Sequence, residues 1–146
     1  MKVSIASDHG GYELKEFIKN KLSHQYEFID KGCFSKDSVD YPIYASLAAE
    51  DLSNGIVDNA IVICTNGVGV SMVANKVKGV RCALCLNIEM ASHAKLHNDA
   101  NCLALGQVNQ SMDEALNIVK TFLGTNFSNE ERHLRRVNQI KKMEEK

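Results

Sequence analysis

The stretch Asn59-Ala-Ile-Val-Ile-Cys-Thr-Asn-Gly-Val-Gly-Val-Ser-Met-Val-Ala-Asn-Lys76 constrains the fold of this chain more than any other. It opens with an apolar, β-branched run, Ile61-Val62-Ile63, which reads as a buried strand. It breaks at Cys64-Thr65-Asn66-Gly67-Val68-Gly69 and resumes with helix-compatible residues from Val70 to Lys76. Strand, glycine loop and helix start in that order give an anion-binding geometry, because unpaired N–H groups and the helix dipole both favour negative charge there. A cysteine on the first residue of the loop would have its thiolate favoured by the same field. The plainer reading is a buried thiol ending a core strand, followed by a tight turn. These residues alone leave both readings open. Some chemistries are already excluded. No Gly-Lys-Ser/Thr closes the loop, and Met72 stands where Gly-x-Gly-x-x-Gly needs its third glycine. Val70 occupies the place where a cysteine phosphatase needs arginine.

The same alternation runs through the whole chain. Val3-Ser-Ile-Ala is a short strand leading to Ser7-Asp8-His9-Gly10-Gly11, and a helix follows with Leu14, Phe17, Ile18 and Leu22 at helical spacing. Tyr26–Asp30 is a second strand. A second helix starts near Tyr41-Pro42, with proline in the first turn and Tyr44, Leu47 and Ala48 on one face. Val80–Cys85 is a fourth strand, Ile88 to Leu96 a helix, and Asn101–Leu105 a fifth strand ending at Gly106. Ala115, Leu116, Val119, Phe122 and Leu123 mark an amphipathic helix closed by Gly124. Ser128-Asn129-Glu130-Glu131 offers a capping start to a last helix, whose Lys- and Glu-rich tail is expected to fray. Five strands alternating with helices predict a three-layer α/β/α sandwich on a parallel sheet. In such folds ligands sit beyond the carboxyl ends of the strands, at a switch point in strand order. If the first and third strands are neighbours, Asp8-His9 and Cys64–Gly69 face one crevice.

Composition narrows the function classes. The chain has 146 residues, 45% of them hydrophobic and 24% charged, with a net charge of −1, so residues 1–146 read as one globular domain. That charge gives no reason to expect nucleic acid or an anionic membrane as partner. No apolar run approaches the roughly 18 residues a membrane span needs, and no signal-peptide pattern precedes the first strand. Five cysteines, mostly inside apolar segments, look like reduced thiols in a cytoplasmic protein.

Other constellations carry their own alternatives. Asp8 is either a helix N-cap or a catalytic carboxylate, and the two glycines after His9 would let the backbone approach a ligand. Cys82-Ala-Leu-Cys85 matches Cys-x-x-Cys, but residues three apart in a strand point to opposite faces, which argues against a shared metal or disulfide. His97-Asn98-Asp99 ends a helix, where a histidine can simply favour the dipole. A residue entering a parallel strand lies at the amino edge of the sheet, whereas Cys64 lies at the carboxyl edge. If both serve one site, His97 must come from a second subunit. Arg132 and Arg136, four apart on the last helix, share a face and could clamp a phosphate or merely be solvated, with Leu134 and Val137 turned toward packing.

These stretches together resemble the ribose-5-phosphate isomerase B family, which includes galactose-6-phosphate and allose-6-phosphate isomerases. The likeness runs from Ser7-Asp-His-Gly-Gly-Tyr12 through Val39-Asp-Tyr-Pro42, Ile63-Cys64, Gly67-Val-Gly69, Ala74-Asn-Lys76 and His97-Asn-Asp-Ala-Asn101 to Arg132-His and Arg136-Val137. The resemblance implies a Rossmann-like sheet in strand order 2-1-3-5-4. It also implies a homodimer, or a dimer of dimers, with active sites shared between subunits. It implies an aldose–ketose isomerase that works through a cis-enediolate without metal or other cofactor, most closely on ribose 5-phosphate and ribulose 5-phosphate. By that likeness Cys64 is the base, Gly67, Val68 and Gly69 with Ser71 hold the enediolate oxygen, and Asp8 handles hydroxyl protons. His97 with Asn98 opens the sugar ring. His9, Arg132 and Arg136 bind the phosphate, and Tyr41 lines the sugar.

Two departures from the family pattern stand out. Cysteine-type members read Cys-Gly-Thr-Gly where this chain reads Cys64-Thr65-Asn66-Gly67. Asn66 lacks the expected hydroxyl but offers a carboxamide donor in its catalytic place. Thr65 replaces a glycine, so a positive φ there would require a strained or reshaped loop. Val108 stands where another phosphate-binding arginine is expected. The same chemistry on a six-carbon sugar phosphate, a phosphosugar-binding module without turnover, and a nucleotide-binding domain are the rival readings.

Overall fold

The computed structural model describes residues 1–145. Its strands are β1 (Lys2–Ser7), β2 (Glu27–Asp30), β3 (Asn59–Cys64), β4 (Cys82–Leu84) and β5 (Cys102–Gly106). Its helices are α1 (Tyr12–Leu22), α2 (Tyr41–Ser53), α3 (Val68–Asn75), α4 (Ile88–Leu96), α5 (Met112–Gly124) and α6 (Glu131–Lys142). The sheet is parallel throughout, in the order β2-β1-β3-β5-β4. The order reverses between β1 and β3, where Ser7 pairs with Ile63. On its other side Cys64 pairs with Gly106, so the carboxyl ends of the three central strands finish level with one another.

Side chains alternate across the sheet, and the two faces differ in size. Val3, Ile5, Ile61, Ile63, Leu103 and Leu105 point to one face. There they meet Leu14, Ile18 and Leu22 of α1, and Ile118, Val119 and Phe122 of α5. The other face is built from Ala6, Ala60, Val62, Cys64, Cys102 and Ala104, under Ala45, Ala48 and Ala49 of α2 and Val70 and Ala74 of α3. Small residues on both sides let α2 and α3 lie close to the strands. That explains one correction to the pattern read from α2: Ala45, Ala48 and Ala49 face the sheet while Leu47 is exposed.

Two other elements differ from expectation. β4 is confined to Cys82–Leu84, because the amide of Arg81 bonds the Asn101 side chain at 2.8 Å instead of a ladder partner. α6 begins at Glu131 behind Glu130, which makes no side-chain cap. Ser128, expected to cap, instead accepts from the Glu130 amide (3.3 Å) and meets His133 Nδ1 (3.2 Å). Val137 packs inward as expected, whereas Leu134 is exposed. The tail, expected to fray, forms a turn over Met143–Glu145, and the Glu144 carboxylate accepts from the Gly79 amide.

Candidate active site

The β1 and β3 loops meet at the carboxyl edge of the sheet. Asp8 is buried, and its Oδ1 accepts the amides of Gly10 (2.9 Å) and Gly11 (3.2 Å), capping a short 3₁₀ turn. Capping uses one carboxylate oxygen; the other has no partner among the described residues. Cys64 is 6% exposed, and its Sγ accepts the Gly67 amide at 3.2 Å. That bond requires the chain to turn back sharply, which Gly67 does with φ +85°. A Cβ at Gly67 would lie 2.6 Å from Leu84 Cδ1 and 2.9 Å from the Leu105 carbonyl carbon, so only glycine fits. The helix dipole of α3 points at the same place, and the amides of Gly69 and Val70 have no partner among the described residues.

Asp8, Tyr41, Cys64, Asn66, Val68 and Gly69 line a pocket of about 390 Å³ here. Thr65 and Met72 line it as well, and neither was singled out as a ligand-facing residue from sequence. The Tyr41 ring lies over Gly69 so closely that a Cβ there would stand 2.6 Å from it. Asn66 turns its Oδ1 to the Val68 amide (3.1 Å), and its carbonyl is fixed by the Asn109 side chain (2.9 Å). Ser71 donates its hydroxyl to the Val68 carbonyl at 2.7 Å, leaving its lone pairs free. His9 is exposed beside Asp8 and accepts the Val39 amide on Nδ1 at 3.1 Å. Thr65 resolves the question raised by its substitution. Among the described residues only Asp99 and Asn129 combine a side chain with positive φ, so Thr65 sits in ordinary backbone and the left-handed residue is Gly67. Its hydroxyl lies over Gly10, where a Cβ would come within 2.2 Å of it.

The remaining candidates gather at the opposite edge. His97 ends α4 just ahead of β5, and Asn98 lines a separate cavity of about 620 Å³ together with Arg81 and Asn75. The His97 ring stacks on His93 at 4.9 Å and tilts against His133 at 4.4 Å. Sequence reading passed over His93 and His133; the four-residue spacing of His93 from His97 on α4, and the place of His133 on α6, become meaningful only once α6 brings His133 against His97. His133 is 5% exposed, and burial together with His97, Arg132 and Arg136 nearby holds its pKa below the ordinary value, despite Glu130 at 3.4 Å. Arg132 and Arg136 are both exposed on α6, the first within 3.8 Å of Glu130. One chain therefore brings together Asp8, His9, Tyr41, Cys64 and the loop, and does not bring them to His97, Asn98, Arg132 or Arg136.

The Cys-x-x-Cys pair belongs to neither cluster. Cys82 packs on the small-residue face and Cys85 on the other, and burial pushes the Cys85 thiol up to about 12. All five cysteines are unpaired, and no group of three or more potential metal ligands occurs among the described residues. No helix among them is long and apolar enough to cross a membrane.

Comparison with known proteins gives a consistent picture. A family model described as ribose/galactose isomerase matches residues 3–140. Ribose-5-phosphate isomerase B of Escherichia coli is 38% identical over 146 residues, covering 99% of this chain and 97% of that protein. A solved structure of Clostridium thermocellum ribose-5-phosphate isomerase B superposes with a TM-score of 0.96 at 46% identity, covering 99% of this chain and 98% of that one. The Mycoplasma genitalium ribose-5-phosphate isomerase B, solved with bound ribulose 5-phosphate, gives 0.92 at 39% identity over 99% and 97% of the two chains.

Proposed function

Because the chain belongs to the ribose/galactose isomerase family, we propose that it interconverts ribose 5-phosphate and ribulose 5-phosphate, with Cys64 carrying the proton between C2 and C1. The observation that supports this reading best is the Gly67 amide aimed at Cys64 Sγ inside a pocket shared with Asp8. An N–H donor stabilises sulfur as the anion, the form that can act as base.

In the proposed course, open-chain ribose 5-phosphate lies with C1 and C2 over the sulfur. The thiolate takes the C2 proton, and the electron pair moves into the C1 carbonyl to give a cis-enediolate. The unpaired amides at the start of α3 face the charge that develops on oxygen, the placement expected of an oxyanion hole. Asp8, through its uncommitted oxygen, passes the hydroxyl proton from O2 to O1, and the thiol returns its proton to C1. Hydrogen moves within one molecule, so the reaction needs no redox partner. Asn66, Val68 and Ser71 shape the loop around the enediolate, and Tyr41 covers the sugar. His9 binds phosphate from the same chain. His97 and Asn98 open the furanose ring, and Arg132 and Arg136 take the phosphate, from a second copy of the chain. A homodimer follows from that division. The five unpaired thiols fit a reducing cytoplasm.

The deciding experiment compares kcat/KM of the wild type and Cys64→Ala on ribose 5-phosphate, allose 6-phosphate and galactose 6-phosphate. The reading expects the five-carbon sugar to lead, with Cys64→Ala losing turnover while still binding it. A lead for a six-carbon sugar moves the substrate, and near-normal turnover without the thiol overturns the base. Tight binding by the wild type with no turnover of any of the three makes the protein a phosphosugar-binding module.

A further inference from the structure

The corner that carries His97 and Asn98 is held in a backbone state that its sequence does not favour. Asp99, one residue further on, has φ +48°, the left-handed region that side chains other than glycine rarely adopt. The reversal from α4 into β5 demands it. His97 N–H still bonds the His93 carbonyl (2.9 Å), and the Ala100 amide then reaches back to the Ala94 carbonyl (3.0 Å), so the chain must fold over between them. Helices usually end this way on glycine. Here an arginine from the approach to β4 holds the turn where glycine would need no support.

Arg81 lies just ahead of β4, with its side chain 15% exposed. Its Nε donates to the Asp99 carbonyl at 2.8 Å and its Nη2 to Asp99 Oδ2 at 3.3 Å, gripping both the backbone and the side chain of the left-handed residue. Its own amide donates to Asn101 Oδ1 at 2.8 Å, and its carbonyl accepts the amides of Asn101 (3.1 Å) and Cys102 (3.2 Å). The segment from Asp99 to Cys102 is thus laced to one residue. A planar guanidinium with two donors in fixed relation can do this; an ammonium, a single point charge, cannot.

We propose that Arg81 is a positioning residue for isomerisation: by holding Asp99 left-handed it sets the direction in which Asn98 and His97 reach the pocket of a second copy of the chain. The proposal rests on the reading that His97 and Asn98 serve the reaction. It separates Arg81 from a residue that merely stabilises the fold, because the effect must travel with the His97 half of the site and leave the Cys64 half intact.

Mixed dimers read that direction. Arg81→Gln alone should lower kcat/KM at least tenfold. Mixed with Cys64→Ala chains, themselves inactive, it should regain activity, since one site then combines an unaltered Cys64 with an unaltered corner. Mixed with His97→Ala chains it should regain none, because both variants spoil the same half. Adding Asp99→Gly to Arg81→Gln should recover most of the loss, as glycine takes φ +48° unaided, whereas Arg81→Lys should not. Complementation of both partners, or of neither while His97→Ala complements Cys64→Ala, overturns the role of Arg81. Wild-type turnover by His97→Ala overturns the reading of His97 itself, and the Arg81 proposal with it. If Arg81→Gln does not fold, the double variant carries the test: folded but inactive, it overturns the proposal.

Discussion

At the carboxyl edge of the sheet the Cys64 sulfur and the Asp8 carboxylate are held by main-chain amides, from Gly67, Gly10 and Gly11. At the amino edge His97 is held by side chains, the rings of His93 and His133, and its turn by the guanidinium of Arg81. The difference matches the role proposed for each edge. Groups that carry or face negative charge gain from fixed N–H dipoles, which need no reorganisation when charge appears. An imidazole proposed to give and take a proton gains from neighbours that fix its plane without claiming its nitrogens. One chain thus holds two clusters built on different principles, at opposite edges of the sheet.

The sharpest way to break this comparison is chemical. Ribulose 5-phosphate cannot close a furanose ring, since O5 carries the phosphate, so in the proposed mechanism exchange of its C1 proton with solvent needs Cys64 but no ring opening by His97. Cys64→Ala should lose that exchange by about 10²–10⁴-fold, the usual worth of a positioned base. His97→Ala should keep it while losing conversion of ribose 5-phosphate. Deuterium uptake at C1 followed by NMR checks both, and equal losses would mean that the edges do not divide the work.

The next largest effect is expected from Gly67→Ala. The added methyl meets Leu84 and the Leu105 backbone, and left-handed φ on alanine costs on the order of 1–3 kcal/mol. Thermal melting should fall, and kcat should fall further than stability explains, because the amide no longer faces the sulfur. No comparable loss is expected from Thr65→Gly, whose position is in ordinary backbone.

Acid should take the edges apart in order. The folded pKa of His133 is depressed, chiefly by burial, so protonation favours the unfolded chain. Stability tied to the neutral ring is intact above about pH 6.5 and is lost as pH falls from there through the lower folded value. Near the carboxyl edge, Asp30 is the acidic counterpart. Burial alone would raise its carboxyl, but bonds from Lys15, Lys19 and the Gly32 amide hold it below the ordinary range. Its contribution is intact above about pH 3.9 and is lost only as pH falls below that. Hydrogen exchange, corrected for intrinsic rates, should show α6 opening before α1 between pH 7 and pH 3, and His133→Asn should remove the first step. Simultaneous opening would contradict the assignment.

The smallest effect concerns Val108, 70% exposed, with its amide bonded to the Thr65 carbonyl beside the pocket. Val108→Arg should lower KM for the phosphosugar about two- to fivefold, the scale of an exposed ion pair, with kcat unchanged. A steady-state titration suffices to check it.

Much of this was legible in the sequence because it is local. β3 follows directly from its β-branched apolar run and α5 from its apolar period, and the strand order follows the family likeness. Cys82 and Cys85 lie on opposite faces as strand alternation predicts, although Cys85 stands one residue past β4. What was not legible depends on partners distant in sequence. Ser128 reads as a cap until His133 claims its hydroxyl, and Leu47 reads as core until the alanines of the small-residue face draw α2 in another way. His133 carries no signal of its own, since a ring contact from α4 to α6 has no spacing to read, and the four-residue spacing of His93 from His97 gains meaning only with it. The Thr65 question needed backbone angles, which no residue type settles.

The small-residue face has a further consequence, for how this protein can drift. Cys64 and the helix whose amides face it rest on Ala60, Ala104 and Cys102, and on Ala74 within α3 itself. A single added methylene there has nowhere to go but against α3, and so against the loop, while the Ile and Leu of the opposite face can exchange shapes among themselves. Neutral sequence change should therefore accumulate on one side of the sheet and be purged from the other. A deep mutational scan of β1, β3 and β5 would then show tolerance alternating residue by residue along each strand, with a period of two.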